Sequence, residues 1–144
     1  MNEADAGRST PRLALTVLAA IHLTVVLWHG TAHADLAVGL SRFQTLFVFG
    51  VIVIAPPVAT LLLWTRLEQS ALLLYVWVMS ASLLFGVYYH LIAVSPDNIN
   101  YLPPGSDVAR QRFTISALSV GVVELVATLY SVFALLFRRP AIQT

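Results

Sequence analysis

Four stretches of the chain are almost wholly apolar, at residues 13–34, 43–64, 70–94 and 113–137. Each is long enough to cross about 30 Å of hydrocarbon, which takes about 20 helical residues. The pattern predicts an all-α polytopic membrane protein, an antiparallel four-helix transmembrane bundle forming one domain over residues 12–139. Residues 1–11 are polar and contain Gly and Pro, so they read as a disordered N-terminal tail. Residues 140–144 read as a C-terminal tail. Residues 66–69 make a tight connection, so the second and third helices are expected to be antiparallel neighbours.

Composition agrees with that pattern. The 144-residue chain is 58% hydrophobic and 10% charged, with a mean hydropathy of +0.82, whereas a soluble domain is about 25% charged. The chain has no cysteine, which excludes disulfides, thiolate metal sites and cysteine nucleophiles. All eight Lys+Arg residues are arginine, which excludes lysine Schiff-base chemistry and a lysine phosphate loop. A net charge of +1 without a basic run gives nucleic acid no purchase.

Orientation follows from the arginines. Arg8, Arg12, Arg66, Arg138 and Arg139 fall on one side and Arg42, Arg110 and Arg112 on the other. This bias places both termini in the cytoplasm, in what we expect to be a bacterial inner (cell) membrane. The longest connector, residues 95–112, is then external. Its Pro96-Asp97-Asn98 and Pro103-Pro104-Gly105 are turn formers, and Tyr101 and Leu102 can dip back to the interface. It reads either as a cover over something or as a plain connector. Arg8 and Arg12, the first apolar run and Ala32-His33-Ala34 before Asp35 have the outline of a cleavable signal peptide. The run is long and holds His22 at its centre, so it is read here as a span.

The polar residues inside the spans carry the candidate chemistry. His22, His29 and His33 lie along one line of the first helix, within an arc of about 40°. At about 1.5 Å per residue, His22 and Glu124 each sit about 15 Å deep, near the midplane. His29, His33 and His90 lie toward the external side. Two layers result: an outer one with His29, His33, His90 and Asp35, and a central one with His22 and Glu124.

His29 and His33, at i and i+4, can chelate one ion, with His90 as a third nitrogen and Asp35 or water completing the shell. Such a set suits Zn, Cu or Fe. Alternatively, His29 and His90 from facing helices can hold a haem b. The paired histidines of a two-haem span are missing, so one haem is the maximum. The competing reading is interfacial histidines that hydrogen-bond water, headgroups or backbone.

Glu124 is the sharpest single residue, because a mid-bilayer charge costs at least about 2.5–3.5 kcal/mol unless neutralised or paired. Thr128, Ser131, Ala117 and Gly121 share its helix face, which is therefore expected to turn inward. His22 and Glu124 form a candidate proton pair, with a structural interhelical hydrogen bond as the alternative. Pro56-Pro57 in the second helix frees backbone carbonyls one turn earlier and predicts a kink there.

Three functions remain open. The first is metal or haem binding near the external face, for electron transfer or small-molecule oxidation. The second is a small proton-coupled transporter using Glu124 and His22. The third is a non-catalytic subunit of a larger membrane complex that binds pigment, quinone or lipid. The expected partners are the lipid bilayer, a second copy or a larger membrane complex. Whether the protein is an enzyme stays undecided at this level.

Overall fold

The computed structural model describes residues 3–137, with side chains from residue 10 onward. The first span is a single helix, α1 (Glu3–Asp35), which takes in residues expected to form the N-terminal tail. The second span is composite: α2 (Arg42–Phe47), a π-helical segment (Val48–Ile54) and α3 (Ala55–Leu63). The third is α4 (Glu68–Val87), which runs into a second π-helical segment (Tyr88–Ile92). The fourth is α5 (Asp107–Leu136). All four helical runs are long and apolar enough to cross a membrane. The predicted C-terminal tail, and Arg138 and Arg139, lie outside the described residues.

Local chemistry sets the helix ends. Ser41 and Gln44 form a reciprocal capping box at the start of α2: Gln44 N–H donates to Ser41 Oγ (3.2 Å) and Ser41 N–H to Gln44 Oε1 (2.9 Å). Ser106 caps α5 by accepting from Ala109 N–H, and Asp107 in the first turn complements the helix dipole. The helix therefore starts at Asp107 rather than Phe113, and the connector before it is shorter than expected.

The end of α1 is a Schellman turn. Val38 N–H reaches back to His33 O (3.0 Å) and Ala37 N–H to Ala34 O (3.2 Å). The pivot, Ala37, has φ 51°, a left-handed conformation normally left to glycine.

The diproline breaks the second span upstream of itself. Pro56 and Pro57 offer no N–H to the carbonyls of Ile52 and Val53. The ladder answers by shifting register: Ala55 N–H bonds Gly50 O, one residue further back than in an α-helix. The expected irregularity therefore takes the form of a widened π segment. Below it, Thr60 Oγ1 donates to Pro56 O (2.8 Å).

The four spans form a bundle in which α1 packs along α5, α5 along α4 and α4 along α3, and α3 closes the ring against α1. Near the Arg12 end, Leu15, Leu63, Leu72, Tyr75 and Met79 form an apolar cluster, with Tyr75 O–H donating to Leu15 O (3.1 Å). At the opposite end, Leu36, Val38, Leu102, Phe113 and Ala117 form a second one. The polar site lies between them. Outside, Leu46, Leu61, Trp77, Leu84 and Val122 are exposed, an apolar surface of the kind that faces lipid.

Candidate metal centre

Four side chains from three parts of the chain converge near the His33 end of the bundle. His29 and His33 come from the last turns of α1, His90 from the second π segment, and Asp97 from the connector after it. One ligand atom from each lies within 4.8 Å of all the others, so the cluster is able to coordinate a metal ion. Phe113 packs against all three imidazoles and forms an apolar floor.

Each histidine has its outer nitrogen committed. Ser116 Oγ already donates to Phe113 O (3.0 Å), so it accepts from His29 Nδ1–H (2.9 Å). His33 Nδ1 faces Val38 O (3.2 Å) and His90 Nδ1 faces Asp97 O (2.9 Å). A carbonyl only accepts, so both nitrogens carry the proton. In the neutral rings all three Nε2 atoms then keep their lone pairs, a tautomer that suits metal ligation.

Two of these lone pairs, on His29 and His33, face each other. His29 Nε2 and His33 Nε2 are 3.1 Å apart, and His33 Nε2 is 3.3 Å from Asp97 Oδ1. Ligand atoms about 2.0–2.1 Å from a tetrahedral ion are separated by about 3.3 Å. Asp97 Oδ1 also lies 3.2 Å from His90 Nδ1, yet it makes no aligned hydrogen bond among the described residues. The oxygen therefore lies within reach of two imidazoles without an aligned donor, an arrangement that a cation is able to satisfy.

Asp97 sits on a connector that is itself held down. Asn98, 1% exposed, donates through Nδ2 to Ala93 O (2.8 Å) and accepts Asn100 N–H on Oδ1. Ile99 N–H bonds His90 O, tying the connector to the turn that carries the third histidine. Leu102 is buried in the apolar cluster beside Leu36, as its sequence position suggested, while Tyr101 is exposed. A side-chain carbon at Gly105 would come within 2.6 Å of Leu36 Cδ2, so glycine lets the connector lie flat on α1. Burial alone would raise the Asp97 carboxyl, but the close approach of His90, and the His33 and His29 imidazoles beyond it, hold it below its ordinary value.

Asp35 lies outside this cluster. Its carboxylate pairs with Arg112 Nη1 (2.5 Å), whose Nη2 bonds Thr31 Oγ1 (2.7 Å). The carboxylate that joins the histidines is instead Asp97, from the turn-forming Pro96-Asp97-Asn98 of the connector. Its only signal was an acidic residue within a connector suspected of being a cover.

The central layer also assembles. His22 Nε2 is 3.2 Å from Glu124 Oε1, and the two residues are 1% and 0% exposed. Glu124 Oε2 has no hydrogen-bond partner among the described residues. A cavity of about 480 Å³ connects the layers: its lining includes His29, His33, His90 and Asp97 as well as Ser82 and Glu124. No protein-family model, curated protein or solved structure matches the chain, so the chemistry of this centre rests on its own geometry.

Proposed function

We propose that this is an integral membrane metalloprotein that holds one divalent transition ion between His29, His33, His90 and Asp97 and uses it on a small molecule. The observation that carries the reading is the close approach of three inward-facing ligand atoms, His29 Nε2 at 3.1 Å and Asp97 Oδ1 at 3.3 Å from His33 Nε2, with the outer nitrogens of both rings already taken. Acceptors at such distances repel unless a cation lies among them. Imidazoles with one carboxylate suit Zn, Fe or Cu. A haem requires a slot as wide as the macrocycle between its axial imidazoles. The 3.1 Å contact of His33 on His29 Nε2 leaves none on that side, which favours a bare ion.

The adjoining cavity favours small-molecule oxidation over simple electron transfer, since a pure electron carrier needs no chamber beside its metal. With both termini cytoplasmic, the centre lies toward the outer face of the cell membrane. His22 and Glu124 then serve as a proton-accepting pair at the inner end of the cavity.

The test is elemental analysis with an absorption spectrum on detergent-purified protein. About one equivalent of a transition ion, lost in His90→Ala, is expected; Fe or Cu supports the oxidation, whereas Zn, which has no redox chemistry, leaves the metal site standing and overturns the oxidation. Metal-free, colourless protein that takes up no added ion overturns the reading. It would favour a proton-coupled transporter, for which the buried pair beside a cavity is the supporting observation.

A further inference from the structure

The cavity contains more unsatisfied polar chemistry than the metal cluster uses. Ser82 and Glu124 both line it, both are 0% exposed, and Ser82 Oγ and Glu124 Oε2 lack hydrogen-bond partners among the described residues. Neither atom is needed to complete the His–Asp set. Buried polar atoms are almost always paired, so two orphans in one chamber point to a ligand group that fits there.

Gly86 keeps the space beside them open. A side-chain carbon at this position would stand 3.7 Å from Glu124 Oε2 and 3.9 Å from His90 Cδ2. The glycine therefore leaves a gap between the carboxylate and the third histidine. Ser82 lies one turn before Gly86 on α4, on the same face. The rest of the wall is apolar, with Val26, Val48, Phe49, Ile52, Phe85 and Val120.

The mouth is on the flank of the bundle. α1 lies against α5 and α3 and touches the first π segment only lightly. Gly30 and Ala34 on α1 and Phe49 opposite line the cavity and are exposed. This flank is among the surfaces that face hydrocarbon if the spans are membrane-embedded.

We infer that the chamber binds a lipophilic molecule with one hydroxyl head group, an alkylphenol-like compound, whose hydroxyl donates to Glu124 Oε2 and accepts from Ser82 Oγ. The apolar body lies against the π segment of the second span. Because Glu124 Oε1 faces the His22 imidazole, Oε2 is the oxygen left to accept. A hydroxyl is the simplest group that serves a carboxylate acceptor and a serine donor together. The volume fits a drug-sized molecule, within the roughly 300–1,000 Å³ of small-molecule sites. This substrate class deepens the metal-centre reading and rests on it for the chemistry, although binding itself does not require the ion.

The experiment is equilibrium dialysis of labelled 4-octylphenol and 4-octylanisole against the protein in lipid nanodiscs, with empty nanodiscs correcting for partition. Metal content is measured on the same samples. Saturable, stoichiometric binding of the phenol is expected, with the anisole, which has no donor, weaker by about tenfold or more. Gly86→Ala places a methyl at ordinary contact distance, so the protein should fold and keep its metal while losing about tenfold in phenol affinity. Glu124→Gln and Ser82→Ala should each narrow the phenol–anisole gap. Equal binding of the two probes, or no saturable phenol binding by metal-loaded protein, overturns the inference and leaves the metal centre standing. Selective phenol binding by protein that takes up no metal supports the chamber and overturns the metal centre.

Discussion

The Nε2 atoms of His29 and His33 face each other at 3.1 Å, with Ser116 and Val38 occupying the opposite nitrogen of each ring. The arrangement is held from outside: His33 cannot move its proton inward without losing its bond to Val38 O, and His29 can do so only if Ser116 gives up its bond to Phe113 O. His33→Ala removes a ligand and should abolish metal retention through purification. Ser116→Ala leaves every ligand in place but frees the His29 tautomer, and should weaken metal affinity about 10–100-fold. Titration of the metal-free protein with Zn²⁺ by calorimetry separates the two results.

Asp97 and Asp35 make opposite predictions. Asp97→Asn should strongly reduce metal occupancy, since it removes the anionic ligand beside His33 and His90. Asp35→Asn breaks only a half-exposed pair with Arg112, so occupancy should stay unchanged and stability should fall by less than about 1 kcal/mol. Elemental analysis of the two variants side by side checks this.

Acid should dismantle the site in two steps. Metal is released first, because imidazole protonation competes directly with coordination. The Asp97 carboxyl is held below its ordinary value, so its contribution to stability is present above that value and is lost only as pH falls through the lower folded one. The connector should therefore remain docked after the metal has gone, and open only below about pH 4. Metal content and limited proteolysis of the connector, followed on one pH series, should show midpoints in that order.

Ala37 is strained at φ 51° for the sake of the turn that brings Val38 O to His33. Left-handed backbone costs an alanine about 1–2 kcal/mol, part of which glycine gives back through its freer unfolded chain. Ala37→Gly should raise stability by about 0.5–1 kcal/mol, read as a higher thermal midpoint in detergent, with metal affinity unaltered.

The His22–Glu124 pair should behave as a unit. Glu124→Ala leaves a buried imidazole without its partner and should cost about 3–5 kcal/mol, whereas His22→Phe combined with Glu124→Leu should recover most of that loss. A double-mutant cycle on thermal stability measures the coupling.

The histidine line and the common level of His22 and Glu124 were legible because helical periodicity and rise fix both, and a continuous apolar helix obeys them. Asp97 was not, since no periodicity governs a connector. Its position depends on the π turn at Tyr88–Ile92, on Asn98 and on the flat seat at Gly105. Asp35 misled by proximity: two residues after His33, it points about 200° around the helix. The diproline was visible as an interruption, but the form of the interruption depends on which carbonyls find new donors, and that is decided by register over the preceding turns.

The provenance of the four candidate ligands sets an order of assembly. Two lie in the first span, the third closes the third span, and the fourth lies on the connector that precedes the last. A chain made from its N-terminus therefore carries half of the set from residue 33 and completes it only when residue 97 has been made and the connector has folded down. An ion captured at residues 29, 33, 90 and 97 would act as a seal on a finished insertion, and its absence would mark a chain that had threaded the bilayer incorrectly.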